Sequence, residues 1–279
     1  MDTKVGFIGG GKVGTALGLY FQQKGIVVTG YYSRTEKNRL NSAQKTATTP
    51  FNNLKSLIKE SNFIWITTTD DEIQNVVQEI AKLSYLFEKE KTFVHASGVH
   101  NLSVLSNLEK KGFSTATAHP LLAFNDEKSA VQLLEKTYFG IEKEEKRVLE
   151  LLNKTGNPYF LISSEKKQLY HLASTVLSNY LVTLSHISKN IYQKAGLNKK
   201  EINQITTPLI KSVLQNLEEK EEKEALTGAI QRNDRETVLQ HIKTIKKEFP
   251  NYLNFYKIIG CETAEMVGNE KIKELFESI

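Results

Sequence analysis

Residues suited to proton transfer interrupt an otherwise apolar stretch between residues 165 and 195. These residues are Lys167, Tyr170, His171, Ser178 and Asn179. Lys167 and His171 are four residues apart, so their side chains share one face of a helix. Buried polar groups need partners, so this face meets either a domain interface or a ligand. A lysine in a semi-buried cleft has a lowered pKa, and it can protonate and stabilise a carbonyl oxygen during reduction. We therefore predict catalytic roles for Lys167, His171 and Asn179, with either Lys167 or His171 as the proton donor.

Three loops carry further candidates for substrate contacts. His119 directly follows an apolar strand and precedes Pro120, which places it at a strand's carboxyl end, where α/β sheets bind ligands. We predict that His119 is catalytic and that it binds the substrate together with Ser97 and Asn179. Arg232 is predicted to hold a substrate carboxylate through paired hydrogen bonds. The alternative for Arg232 is a structural tie to Asp234 or to a second subunit.

A glycine-rich turn near the N-terminus predicts a dinucleotide site. The segment from Gly9 to Gly14 fits the pattern G-x-G-x-x-G, directly follows an apolar strand and opens an amphipathic helix. This context is typical of a Rossmann domain, in which the backbone N–H groups at the start of the helix bind a pyrophosphate. The predicted cofactor contacts here are Gly9, Gly11, Lys12, Val13 and Gly14.

The end of the second strand indicates which dinucleotide binds. NAD enzymes usually place an acidic residue there, whereas this chain has Ser33, Arg34 and Thr35, with no acid before Glu36. A guanidinium and two hydroxyls suit a 2′-phosphate, so the predicted cofactor is NADP(H). An F420-type deazaflavin is the alternative cofactor. Loops after two later strands are expected along the nicotinamide half, and we predict that they contribute Thr68, Thr69 and Ser97.

The elements that position these residues alternate between strand and helix patterns up to about Ser163. Predicted strands cover 5–8, 26–32, 62–67, 92–95, 114–118, 137–141 and 159–162. Alternation predicts an α/β fold, a Rossmann doubly wound parallel sheet, followed by an all-helical C-terminal domain. We expect an NADP-binding domain over residues 1–163 and a helical substrate and dimerisation domain over 164–279. One long helix is predicted over 165–195.

Composition excludes several other classes. The 279 residues have a net charge of +5, and lysines alternate with glutamates rather than clustering, which predicts no nucleic-acid partner. Cys261 is the only cysteine, so a disulfide within the chain or a thiolate metal cluster is excluded, and a reducing, cytoplasmic location is expected. We predict no metal and no membrane span. The apolar helices predict a homodimer.

These segments together resemble the bacterial family that combines a Rossmann-like domain with the domain of unknown function DUF2520. The resemblance spans nearly the whole chain. It rests on Gly9 to Gly14, Ser33-Arg34, Val94 to Gly98, His119 to Leu121 with Ala123-Phe124, Lys167 with Tyr170-His171, Ser178-Asn179, and Leu226 to Gly228 with Arg232 and Asp234. Ala229 and Asn233 depart from the family pattern, which has Pro and Gly at these positions.

The resemblance implies a place in the 6-phosphogluconate dehydrogenase-like group. Several members of that group carry a catalytic lysine followed four residues later by asparagine, which here correspond to Lys167 and His171. Some DUF2520 proteins are PanG-type ketopantoate reductases. The resemblance therefore implies NADPH-dependent reduction of a small anionic 2-oxo acid, with ketopantoate as the leading substrate. The alternatives are an imine or hydroxy-acid substrate, as in pyrroline-5-carboxylate reductase or prephenate dehydrogenase, and a non-catalytic NADP sensor.

Overall fold

A computed structural model describes residues 3–279. Its strands are β1 Lys4–Ile8, β2 Val27–Tyr32, β3 Thr49–Pro50, β4 Phe63–Ile66, β5 Thr92–His95, β6 Ser114–Thr117, β7 His119–Pro120, β8 Phe139–Ile141 and β9 Tyr159–Leu161. Its helices are α1 Lys12–Gln23, α2 Glu36–Thr46, α3 Leu54–Glu60, α4 Asp70–Leu83, α5 Ser106–Glu109, α6 Glu127–Leu134, α7 Lys146–Thr155, α8 Lys167–Thr175, α9 Leu181–Lys194, α10 Lys199–Glu219, α11 Glu222–Ala225, α12 Arg235–Glu248, α13 Leu253–Met266 and α14 Glu270–Glu277.

The first six strands form one sheet in the order β3-β2-β1-β4-β5-β6. Every neighbouring pair is parallel. The order reverses direction between β1 and β4, and ligands of doubly wound sheets bind at such a switch point, outside the carboxyl ends of the strands. The predicted Rossmann fold, with helices following the sheet, is confirmed.

The central strands are apolar on both faces because helices cover both sides of the sheet. Successive side chains of a strand point to opposite faces. Phe7 and Trp65 accordingly belong to one buried cluster, whereas Ile8 and Ile66 belong to the other. The continuous apolar run of β4 is therefore a consequence of burial on both sides, which fixes the strand ends that carry the glycine turn and its neighbours.

A second sheet of three strands, β7-β8-β9, differs from the expected single series. β8 and β9 pair in parallel, and β7 pairs with β8 in the antiparallel direction. Only Ala118 separates β6 from β7, which is too short for the crossover that a parallel neighbour needs. The chain therefore leaves the large sheet at this point, and His119 begins the small one.

The chain divides into two compact units, one ending at Val182 and the other covering Thr183–Ile279. The last strand ends at Leu161, close to the change from strands to helices that was predicted near 163. The predicted helix over 165–195 consists of α8, a π-helical segment over Val176–Tyr180, and α9.

The second unit is helical and has its own apolar cluster. Val238, Ile242 and Phe276 are buried there, and Gly260 leaves room for the Phe276 ring. No helix among the described residues combines the length and the apolar character needed to cross a membrane.

Candidate active site

The glycine turn opens a crevice at the carboxyl edge of the large sheet. Gly9 has a φ of +112°, and a Cβ there would lie 2.5 Å from the Thr67 carbonyl oxygen, so this position requires glycine. A Cβ at Gly11 would meet no atom within 4 Å, which leaves the backbone open to a ligand. Gly11 is also the N-cap of α1 and supplies no side-chain acceptor. The first N–H groups of α1 are thus suited to bind phosphate.

We call this cavity the cofactor crevice; its volume is about 250 Å³. It is lined by Ile8, Gly9, Gly10, Gly11, Tyr32, Ser33, Arg34, Thr35, Asn38, Thr67, Thr68, Thr69, Glu72, Asn75, Val76 and Glu79. The hydroxyl of Thr68 is buried without a hydrogen-bond partner among the described residues. A buried hydroxyl of this kind calls for a partner, and the crevice therefore fits a dinucleotide.

Several predicted cofactor contacts lie outside the lining of the crevice. Lys12 is exposed at the start of α1, while Val13 is partly buried and Gly14 fully buried. Ser97 is buried, and its hydroxyl accepts hydrogen bonds from the backbone N–H groups of Val99 and His100. The cofactor roles of Lys12, Val13, Gly14 and Ser97 remain predictions; the visible role of Ser97 is to shape the loop after β5.

A second cavity of about 730 Å³, here called the histidine pocket, lies in the same compact unit. It is lined by His119, Leu121, Leu122, Ala123, Phe160, Tyr170, His171, Ala173, Ser174, Thr175, Leu177, Ser178 and Asn179. The structure thus brings together predicted residues from β7, α8 and the π-helical segment. Such segments are frequent at functional sites. Ser178 donates to the Ser174 carbonyl oxygen and to the Asn179 Oδ1.

The loop after β5 approaches the two pocket histidines closely. A Cβ on Gly98 would lie 2.7 Å from the His171 Cδ2 and 2.9 Å from the His119 Nε2. Only glycine leaves room for both rings here. The Nε2 of His119 therefore faces this loop, at the carboxyl edge of the sheet that also carries the cofactor crevice.

The other nitrogen of His119 contacts Tyr170. The distance from Nδ1 to the Tyr170 hydroxyl oxygen is 2.7 Å. Burial lowers the pKa of His119 to about 4, with Lys167 and His171 adding to the effect, and burial raises the pKa of Tyr170 to about 12. At neutral pH the tyrosine is protonated and the imidazole is neutral. Either group can be the donor in this hydrogen bond; when Tyr170 donates to Nδ1, the imidazole carries its one proton on Nε2.

Lys167 is buried and is not among the described residues that line the histidine pocket. Its side chain is 1% exposed, and Nζ lies 2.7 Å from the Glu142 Oε1. Burial lowers the pKa of Lys167 in spite of the ion pair. Burial opposes ionisation of Glu142, but hydrogen bonds from Lys167, from Ser164 and from the Leu102 N–H outweigh it and lower the pKa of that carboxyl.

Sequence reasoning missed Glu142 and its partner contacts. Glu142 directly follows β8, and a carboxylate at a strand's carboxyl end is the signal that could have found it. It also missed Glu72, which reaches the cofactor crevice from α4. His95 at the end of β5 is fully buried, and burial lowers its pKa to about 3.

Arg232 belongs to the second compact unit and is exposed. Asp234 caps α12 by accepting from the Thr237 N–H at 3.1 Å. Asn233 has a φ of +57°, a conformation that asparagine tolerates better than most residues. This explains how Asn233 can stand where the family pattern has Gly. The carboxylate-binding role of Arg232 remains a prediction.

Comparison with known proteins gives a family model for each half of the chain. Residues 2–120 match the Rossmann-like domain, and residues 137–263 match DUF2520, a domain of unknown function. No curated protein matches the sequence.

Solved structures share the fold over nearly the full length. A proposed NADP oxidoreductase from Bacteroides fragilis has 21% identity, covers 95% of this chain and 98% of its own, and gives a TM-score of 0.77. A Thermotoga maritima protein has 26% identity, coverages of 96% and 99%, and a TM-score of 0.70. An imine reductase from Pseudomonas sp. has 16% identity, coverages of 99% and 99%, and a TM-score of 0.63.

Proposed function

For this chain, which joins a Rossmann-like domain to DUF2520, we propose the activity of an NADPH-dependent reductase of a small carbonyl compound. The observation that carries the proposal is the neutral His119, whose Nε2 faces Gly98 at the same sheet edge as the glycine turn. The name of the Bacteroides fragilis structure supports NADP as the cofactor.

The residues of the cofactor crevice are suited to hold NADPH. The N–H groups at the start of α1 would bind the pyrophosphate, and Ser33, Arg34 and Thr35 would bind the 2′-phosphate. Thr68, with its buried hydroxyl, would supply a further hydrogen bond. When bound, the cofactor supplies a hydride for carbonyl reduction.

We assign His119 the task of stabilising the substrate oxygen. Its Nε2–H donates a hydrogen bond as negative charge develops there, and Tyr170 holds the tautomer in place through Nδ1. A neutral imidazole in this role stays a donor at every pH above its lowered pKa. His171, which borders the same space, is our candidate proton donor, and Asn179 orients the substrate.

Lys167 was predicted as one of two alternative proton donors, the other being His171. Because its ammonium pairs with Glu142 and its side chain is buried, we propose that it acts through its charge, which disfavours protonation of His119. Its substitution should therefore change the pH profile of turnover as well as its rate.

The leading substrate is ketopantoate, reduced to pantoate in pantothenate biosynthesis, as the family resemblance implies. The walls of the histidine pocket formed by Leu121, Leu122 and Phe160 suit a branched aliphatic group. We also propose that the protein is a homodimer and is located in the cytoplasm.

Imine reduction is the second candidate, and one observation favours it. Among the described residues that line the histidine pocket, none is Lys or Arg. An anionic substrate would need such a cationic side chain as a partner, whereas a neutral imine would not. The imine reductase from Pseudomonas sp. shares the fold.

The decisive experiment follows the absorbance of NADPH, which falls when ketopantoate, another oxo acid or an imine is reduced with NADPH, and rises when a hydroxy acid is oxidised with NADP⁺. We expect oxidation of NADPH with ketopantoate, and a loss of about 100-fold in turnover for His119→Ala with NADPH affinity retained, since one oxyanion donor is worth that much. Turnover with imines alone would replace ketopantoate by an imine as the proposed substrate. NADPH binding without any turnover would favour the sensor and overturn the reductase.

A further inference from the structure

Helix α4 places acidic side chains in the wall of the cofactor crevice. Glu72, Asn75, Val76 and Glu79 all line it, and their spacing puts them on one face of the helix. They share the crevice with Ser33, Arg34 and Thr35, which follow β2. The acid that the end of β2 lacks is therefore supplied by a helix that follows another strand.

Glu72 is paired with the cation that was predicted to bind a 2′-phosphate. The Arg34 Nη2 lies 2.8 Å from the Glu72 Oε1, and the Asn75 amide donates to the other carboxylate oxygen at 3.3 Å. The hydrogen bond from Arg34 lowers the pKa of Glu72, so the carboxylate is ionised at neutral pH. Arg34 is thus already engaged, while 69% of its side chain is exposed to an incoming ligand.

We propose that Glu72 determines the selectivity between NADPH and NADH by competing with the 2′-phosphate for Arg34. Carboxylates and phosphates bind a guanidinium through the same paired geometry. NADPH must displace Glu72 from Arg34, and its phosphate then lies near a released carboxylate. NADH carries a 2′-hydroxyl instead, which leaves the ion pair intact and can donate to Glu72, as the ribose does to the acid of NAD-binding sites.

This inference rests on the proposed function, because it requires that the crevice binds a nicotinamide dinucleotide. It goes further than the proposed function because Glu72 would oppose binding of the 2′-phosphate, whereas Arg34 would favour it. Substitution of Glu72 should therefore improve NADPH binding, whereas substitution of a residue that merely lines the crevice should not.

The test compares Glu72→Gln with Glu79→Gln. Both substitutions remove one negative charge from the same face of α4, but the ion pairs of the described residues include Arg34 with Glu72 and not with Glu79. Dissociation constants for NADPH, NADH, 2′,5′-ADP and 5′-AMP are measured by calorimetry at low ionic strength. The two nucleotide fragments report on the phosphate contact without any turnover.

We expect Glu72→Gln to tighten NADPH and 2′,5′-ADP about three- to fivefold, the size expected for an exposed ion pair, and to leave NADH and 5′-AMP unchanged or weaker. Glu79→Gln should change all four ligands by less than twofold. In an Arg34→Ala background, the gain from Glu72→Gln should fall to that of Glu79→Gln, because no guanidinium is left to release.

Two results overturn the inference and leave the proposed function intact. Equal effects of the two substitutions would mean that only the net charge matters, and equal shifts for NADPH and NADH would mean that Glu72 does not discriminate. If the wild-type protein binds neither dinucleotide, the proposed function fails and the inference fails with it. If the wild-type protein binds the dinucleotides and Glu72→Gln leaves the selectivity between NADPH and NADH unchanged, only the inference about Glu72 fails and the proposed function stands.

Discussion

The fully buried His95 and the partly buried His119 lie at the carboxyl edge of the large sheet. Burial lowers the pKa of His95 to about 3 and that of His119 to about 4, against an unfolded value of about 6.5. The charged or titratable groups that act on His119 are Lys167, His171, Asp70 and Tyr170. The Lys167 ammonium opposes protonation, whereas Asp70 favours it.

The first prediction concerns acid stability. Because the folded pKa values are depressed, the unfolded chain binds protons that the folded chain excludes as the pH falls from about 6.5 towards 4. The contribution of these neutral histidines to the free energy of unfolding is fully present above about pH 6.5. By pH 4, each histidine should lower the free energy of unfolding by on the order of 3 kcal/mol. Thermal unfolding of His95→Gln between pH 7 and pH 4 should show a smaller loss than the wild type.

The control for this prediction is His186→Gln. His186 is exposed and hydrogen-bonded to Asn190, so its substitution should leave the loss of thermal stability between pH 7 and pH 4 unchanged. The acid titration of the carboxylates contributes equally to all three proteins. If His95→Gln loses as much stability as the wild type over this pH range, burial of His95 does not set the acid limit.

At the same scale, local patterns in the sequence pointed to some of the candidate residues and not to others. Gly9 and His119 became candidates because each directly follows a strand that the sequence pattern predicts. Glu72 and Glu142 did not, because their partners, Arg34 and Lys167, are distant in the chain and meet them only through the fold. Lys167 was predicted to be catalytic in a semi-buried cleft, but the sequence did not predict its ion pair with Glu142, which bears on how it can act.

At the scale of elements, Glu142 joins three segments of the first compact unit. It follows β8, accepts from the Leu102 N–H at 2.9 Å, and bonds to Ser164 and Lys167 at the start of the helical region. Both members of the ion pair are 1% exposed. A buried pair contributes little in itself, but loss of one partner leaves an uncompensated charge.

We predict that Glu142→Gln lowers the free energy of unfolding by about 3–5 kcal/mol, whereas the double variant Glu142→Gln/Lys167→Met recovers most of this loss. A double-mutant cycle measured by urea unfolding checks the prediction. Glu109→Gln is the matched control, because it breaks the exposed ion pair with Lys143 and should cost less than about 1 kcal/mol. A double variant as unstable as the sum of its single variants would contradict this account.

The alternation of elements predicted the large sheet because each apolar run is bounded by polar turns. It did not separate β8 and β9 from that sheet, since their apolar runs resemble those of the other strands. The π-helical segment over Val176–Tyr180 also escaped detection, because the apolar pattern continues through it from α8 into α9. Strand pairing and helix type depend on contacts that the local pattern does not contain.

At the scale of the whole molecule, α10 presents an apolar stripe to solvent. Of its residues, only Ile202 and Thr206 are buried. The exposed apolar residues of this helix are Ile205, Leu209, Val213, Leu214 and Leu217. Their spacing of about four residues places most of them on one face, and α9 buries no residue at all. Contiguous apolar surface of this kind marks an interface.

We predict that the protein is a homodimer and that α10 lies in its interface. Leu209→Glu/Val213→Glu should dissociate it, because each exposed apolar side chain gains about 1.5–3 kcal/mol on burial and a charge there would lose that gain. Light scattering at micromolar concentration should give about twice the chain mass of 31.6 kDa for the wild type and a single chain mass for this variant. Gln215→Glu, an exposed substitution on the same helix, should remain dimeric. A wild-type mass of one chain would place these apolar residues outside any self-association and leave the exposed stripe of α10 for a different partner.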